Sequence, residues 1–259
     1  MGNNMPLTVR LDGLRVAITA GAGGIGRVMA DSFATCGARV FVCDVDKEAL
    51  ATCPHPAMFA DMESTEECES FMDAAVAHLG GLDVLVNNAG IAGPTARVED
   101  VAPDQLTRTL KIDVEAMFHC ARKAVPALRA AGGGCIINLS SAAGRFGFPL
   151  RSPYAAAKWG VVGFTKSLAI ELGPDRIRVN AILPGLVAGD RIRRVIEAKA
   201  QAKGVSFADQ EAELLKASSM HSYVTPHDIT NMALYLCSPF GATISGQALA
   251  VDADLQFLG

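Results

Sequence analysis

No C-x-x-C pair occurs among the seven cysteines at positions 36, 43, 53, 68, 120, 135 and 237, and their number is odd. A chain of this size needs no disulfide framework, so the thiols point to a reducing setting. Cys53 and His55 in "CPHP" have no second ligand pair at zinc-like spacing, so they read as loop residues and no metal is expected. Basic stripes with interleaved aromatics are absent, and a formal charge of −4 gives nucleic acid no purchase. No apolar run reaches the ~18 residues of a membrane span. The start, "MGNNMPLTVR", carries no signal-like apolar stretch, and Pro6 stands where myristoylation needs Ser or Thr. Linkers, low-complexity tracts and repeats are missing too. The expectation is a soluble, cytoplasmic protein without membrane or nucleic-acid partners, organised as one domain over residues 1–259 with an N-terminal extension at 1–10.

Half of the 259 residues are hydrophobic, 19% are charged and 25 are glycine. That composition suits a buried parallel sheet joined by tight turns. From Arg15 onward strand-like and helix-like stretches alternate. The strand candidates are "RVAIT" (15–19), "RVFVCD" (39–44), "AMFA" (57–60), "LDVLVNNAG" (82–90), "CIINLS" (135–140), "IRVNAIL" (177–183) and "ALAVD" (248–252). Helices are predicted from the glycine cluster to about Cys36, after a Ser64/Glu67 capping pattern, over 103–130, over 154–172 and near 226–237. The polar stretch 189–225 has weak helical periodicity and reads as a substrate loop or lid. Such alternation implies an α/β fold, a Rossmann-like doubly wound parallel sheet with helices on both faces.

"GAGGIG" satisfies G-x-G-x-x-G through Gly21, Gly23 and Gly26, with Gly24 and Ile25 between them, and it joins a strand to a helix. In that context the helix N-terminus offers unpaired N–H groups and a positive dipole end to a pyrophosphate. No Gly-Lys-Ser/Thr follows, which disfavours a nucleoside-triphosphate loop. Asp44 ends the second strand 18 residues after Gly26. A carboxylate there can accept hydrogen bonds from a ribose diol and would repel a 2′-phosphate, so NAD is expected over NADP. Lys47 is expected to face water.

One further pattern needs explanation: Ser140 and Ser141 precede Tyr154 and Lys158, which are four apart and therefore on one helix face. With the glycine turn, "NNAG" at 87–90, Ser141, Tyr154-x-x-x-Lys158 and "PG" at 184–185 in that order, the chain resembles the short-chain dehydrogenase/reductase family from about Leu11 onward. The resemblance implies that Tyr154 is the general acid/base. Lys158 would favour its phenolate and hold the nicotinamide ribose, and Ser141, 13 residues before Tyr154, would hydrogen-bond the substrate oxygen. It also implies that Asp61 and Met62 flank adenine, that Asn88, Ala89 and Gly90 line the cofactor, and that Pro184, Gly185 and Val187 present backbone to the carboxamide. A tyrosine with an ordinary pKa near ~10 needs such help to act as a base at neutral pH. A homotetramer is the family expectation.

Four departures from the family pattern stand out. Ala20 replaces the first fingerprint glycine, which a negative φ would permit. Asp113 takes the place of the usual active-site Asn, where a carboxylate near Lys158 would partly cancel the lysine's field at Tyr154. Gly189 and "VDAD" (251–254) replace a threonine and a glycine-ended "VDGG". For the substrate, Arg145, Arg151, Arg191, Arg193 and Arg194 could capture an anion, with Arg151 preferred, or could simply be solvated or structural. The activities in view are NAD-dependent oxidation of a small secondary alcohol (a sugar or hydroxy acid), 3-oxoacyl-thioester reduction, or non-catalytic redox sensing.

Overall fold

The computed structural model describes residues 9–258, apart from the side chains of residues 190, 191, 198, 199 and 202. Residues 1–8 of the expected N-terminal extension and the Arg191 side chain lie outside that description. Seven parallel strands form one sheet: β1 (Arg15–Ile18), β2 (Arg39–Asp44), β3 (Ala57–Phe59), β4 (Val84–Asn87), β5 (Gly134–Leu139), β6 (Ile177–Pro184) and β7 (Ala248–Val251). Their spatial order is β3-β2-β1-β4-β5-β6-β7. The order reverses between β1 and β4, so the crevice beyond the carboxyl ends of these two strands is where such a sheet binds ligands.

Strand periodicity explains the continuous apolar runs. Val16, Ile18, Val40, Val42, Val84, Val86, Ile137 and Leu139 point to one face, and Ala17, Phe41, Cys43, Leu85, Ile136 and Val179 to the other. Each face is covered by helices, so both side-chain sets must be apolar. The helices α1 (Gly24–Thr35) and α9 (Pro226–Cys237) bury Met29, Phe33, Ile229 and Leu236 on the first face. The second face takes α3 (Thr65–Leu79), α5 (Ala116–Ala130) and α6 (Ser152–Leu172), reached after the short α2 (Lys47–Ala51) and α4 (Pro103–Leu110).

Four expectations are sharpened. The helical stretch 103–130 is interrupted between α4 and α5 by a wider π-type turn at Lys111–Glu115. Its wider i→i+5 winding shifts the side chains of this turn relative to the flanking helices. The helix expected from Tyr154 begins at Ser152, where Pro153 sits in the first turn. Within 189–225 two helices form, α7 (Asp190–Lys203) and α8 (Phe207–Leu215). Ser64 does cap α3 by accepting from the Glu67 N–H, but the Glu67 carboxylate accepts from Asp61 N–H at 2.6 Å and does not close the reciprocal box.

No helix among the described residues is long and apolar enough to cross a membrane. α6 buries Ala157, Val161, Phe164 and Thr165 inward, while Trp159 and Ile170 stand exposed, as does Phe118 on α5. His55 is anchored: its Nε2 lies 2.7 Å from Asp31, which also pairs with Arg27. Lys47 is exposed as expected, its ammonium 5.2 Å from the Phe59 ring.

Candidate active site

The glycine turn is built by close approach. A side chain at Gly21 would meet Val42 at 2.7 Å, and one at Gly26 would collide with the Ala20 carbonyl and the Asn88 amide. Gly23 caps α1 without any side-chain hydrogen bond, Gly24 begins the helix at φ +52, and a Cβ on Gly24 would point into open space. The start of α1 therefore presents uncapped N–H groups to an open side, which fits a pyrophosphate. Asp44 fixes the turn: its Oδ2 accepts from Ala22 N–H and its Oδ1 from Asp46 N–H, each at 3.1 Å. A carboxylate has about four acceptor positions, so acceptor capacity remains for a diol.

Ala20 corrects the expectation of a negative φ. It sits at φ +50, the left-handed region that the family's glycine would occupy without strain. The same holds for Ala253 (φ +55) and Asp254 (φ +54) in "VDAD". The glycine backbone persists at these places although the glycines are gone.

Thr19, unremarked in sequence, ties the turn to β4. Its buried hydroxyl accepts from the N–H of Asn88 at 2.9 Å and of Ala89 at 3.0 Å, while the Asn88 amide donates to the carbonyls of Thr19 and Ala20. Asn88, Ala89, Gly90 and the glycine cluster thus line one crevice. Farther along the sheet edge, the Asp61 carboxylate accepts from Glu63 N–H at 2.9 Å. Met62 sends its side chain into the core against Cys68, whose thiol also lies 3.7 Å from the Met62 carbonyl oxygen. Gly185 abuts Asp252 so closely that a Cβ would meet it at 2.6 Å, and Val187 bridges to Val224.

Ser141, at the end of β5, caps a short 3₁₀ turn at Ala142–Gly144 through a bond from Ala143 N–H. Tyr154 and Lys158 project from the first two turns of α6, with the lysine ammonium 5.6 Å from the tyrosine ring centroid. Lys158 is buried. Its Nζ donates to the Leu139 carbonyl at 3.2 Å and faces Asp113 Oδ2 at 3.3 Å. Asp113, on the π-type turn and fully buried, accepts the Ile91 N–H at 2.7 Å through Oδ1. The fold thus joins Asp113 to Lys158 and places Gly90 against both, 3.1 Å from Nζ and 3.4 Å from Oδ1 for an imagined Cβ.

Ser140 proves to be the structural member of the serine pair. Its hydroxyl donates to the Lys158 carbonyl at 2.8 Å, tying β5 to the middle of the helix that carries the tyrosine and lysine. The only sequence signal for this was its adjacency to Ser141.

The candidate anion-binding arginines are engaged elsewhere in part. Arg145 pairs with Asp252 at 3.1 Å and donates to the Leu255 carbonyl, and Arg193 pairs with Glu197 along α7. Arg151 donates to the Ala92 carbonyl at 2.6 Å, with its guanidinium 5.2 Å from the Tyr154 ring centroid. Arg194 is exposed.

A doubly wound sheet with a glycine turn at its switch point and a Tyr-Lys helix beside it defines a class of nicotinamide-dependent oxidoreductases. Comparison makes the assignment specific. The family model described as enoyl-(acyl carrier protein) reductase matches residues 19–254. A probable galactose dehydrogenase of Rhizobium meliloti is 35% identical over 250 residues, covering 93% of this chain and 94% of the relative. Among solved structures, actinorhodin polyketide ketoreductase with NADPH superposes with TM-score 0.88 at 31% identity, over 95% of this chain and 99% of the other. A 7α-hydroxysteroid dehydrogenase with NADH and 7-oxo glycochenodeoxycholic acid gives TM-score 0.85 at 32% identity, over 97% and 98%. The chain belongs to the short-chain dehydrogenase/reductase family of oxidoreductases.

Proposed function

We propose that this protein is an NAD-dependent dehydrogenase that oxidises the secondary alcohol of a small polar molecule, sugar-like or a hydroxy acid. The observation that carries the cofactor choice is Asp44, which holds the glycine turn through Ala22 and keeps acceptor capacity at the ribose end. A 2′-phosphate would meet that carboxylate with like charge. The relative named as a probable galactose dehydrogenase supports the sugar-like reading.

The residues that would hold NAD are the uncapped start of α1 for the pyrophosphate, Asp44 and Lys158 for the two riboses, and the 61–62, 88–90 and 184–187 segments around the rings. When bound, the cofactor supplies the hydride acceptor. Tyr154 takes the hydroxyl proton of the substrate, and the Ser141 hydroxyl donates to the substrate oxygen as it becomes a carbonyl. Lys158, its ammonium 5.6 Å from the phenol ring centroid, would hold the nicotinamide ribose beside the reacting groups. Fixed placement of these three groups around one carbon replaces a costly bimolecular encounter. Arg151, beside the Tyr154 ring, would meet a carboxylate on the substrate. Helices α7 and α8 would cover the pocket, and the exposed apolar residues Phe118 on α5 and Trp159 on α6 would pack in a homo-oligomer.

The test is NADH formation by the purified protein over sugars, polyols and hydroxy acids, each with NAD and NADP. Turnover with NAD on one compound class, lost by at least 100-fold in Tyr154→Phe, is the expected result. Preference for NADP would overturn the reading of Asp44 and favour thioester reduction instead. Cofactor binding without turnover across the panel would favour a sensor.

A further inference from the structure

We infer that Asp113 sets the charge at the nicotinamide end of the crevice and tilts the protein toward binding the oxidised cofactor; this rests on the NAD reading above. Asp113 has no solvent exposure and Lys158 is 4% exposed, so solvent screens their interaction little. Asp113 Oδ1 is occupied by the Ile91 N–H. Among the described residues its Oδ2 has no hydrogen bond, and it pairs with the lysine ammonium 3.3 Å away. Gly90 lets the backbone press against both groups, which leaves no room there for a screening side chain.

With a neutral amide at position 113, a protonated Lys158 would leave one uncompensated positive charge at the end of β5. With Asp113 the carboxylate and the ammonium sum to zero. The oxidised nicotinamide ring is cationic and the reduced ring is neutral, so an uncompensated ammonium opposes the first and not the second. Asp113 removes that opposition. Arg151 adds positive charge near Tyr154, but this contribution is the same with either residue at 113. The consequence is a lower dissociation constant for NAD relative to NADH, so the protein is loaded preferentially with the oxidised cofactor that alcohol oxidation consumes, while the on-enzyme equilibrium itself moves toward NAD and alcohol.

The ratio Kd(NAD)/Kd(NADH) isolates this effect, because contacts common to the two oxidation states cancel. It is measured by titrating the purified full chain with each form, wild type beside Asp113→Asn. The asparagine keeps the side-chain shape and an acceptor for the Ile91 N–H. The ratio is expected to rise about tenfold in the variant, the order for one unit charge acting over about 10 Å at an effective dielectric near 20. A second variant, Lys158→Met, removes the cation and keeps the carboxylate, so its ratio should fall. An unchanged ratio in Asp113→Asn with both forms still bound, or a rise in Lys158→Met, overturns the inference. If the wild type instead binds only NADP and NADPH, the NAD reading fails, and the same ratio taken with that pair still decides the role of Asp113.

Discussion

Replacing Gly144 with alanine tests the node that positions the reacting residues. Gly144 lies in the 3₁₀ turn between Ser141 and Tyr154, pressed onto α6. An added Cβ would lie 2.8 Å from the Lys158 carbonyl oxygen and inside contact distance of the Ser140 hydroxyl. Neither obstacle is the loose end of a flexible side chain: one is helix backbone, and the other is a buried hydroxyl bonded to that same carbonyl. Overpacking of this kind costs about 1–3 kcal/mol, and breaking the Ser140 bond adds about 1 kcal/mol. The expected loss for Gly144→Ala is therefore about 2–4 kcal/mol in denaturant unfolding. The turn can escape only by moving off α6, which displaces Ser141 from Tyr154. A shift on the order of 1 Å at reacting groups costs about 100-fold in rate, and kcat should drop accordingly. Ser140→Ala alone should cost about 1 kcal/mol. In the double variant one of the two obstacles is gone, so the combined loss should be less than the sum. Wild-type stability and rate in Gly144→Ala, or strict additivity in the double variant, would refute the reasoning.

Two further outcomes are expected. Ala20→Gly should stabilise the fold by about 0.5–1 kcal/mol, because a left-handed alanine costs about 1–2 kcal/mol and the more flexible unfolded glycine takes part of that back; a lower melting temperature in the variant would show that the methyl group is needed. Burial is the largest influence and would raise the Asp83 carboxyl, but the two-pronged Arg15 side-chain hydrogen bonds at 2.8 and 2.9 Å, the Arg15 backbone N–H at 2.9 Å and the guanidinium charge together outweigh it and hold it below the ordinary range. Its contribution is therefore fully present above the ordinary carboxylate pKa of about 4 and fades as pH falls through the depressed folded value. Asp83→Asn should be less stable than wild type by about 1–3 kcal/mol at pH 7, with the gap closing in acid; an equal gap at pH 7 and pH 3 would refute the linkage.

Much of this protein follows from local pattern. Strands buried on both faces must be apolar at every position, so "RVFVCD" and "CIINLS" are visible as strands. Glycines forced by close approach mark the turn at 21–26, and a four-residue step on one helix puts Tyr154 and Lys158 together. These features depend on neighbours in the chain. The remainder depends on residues distant in sequence that meet only when the sheet closes. Ser140 acquires its role from a carbonyl 18 residues away, and Thr19 from amides about 70 residues away. Ala20 adopts a glycine's backbone because the packing of β1, α1 and Asn88 overrides its own preference. Asp113 shows the division most sharply: its identity is plain in the chain, but its pairing with Lys158 exists because the π-type turn and the Ile91 amide aim a buried carboxylate at an ammonium on another helix.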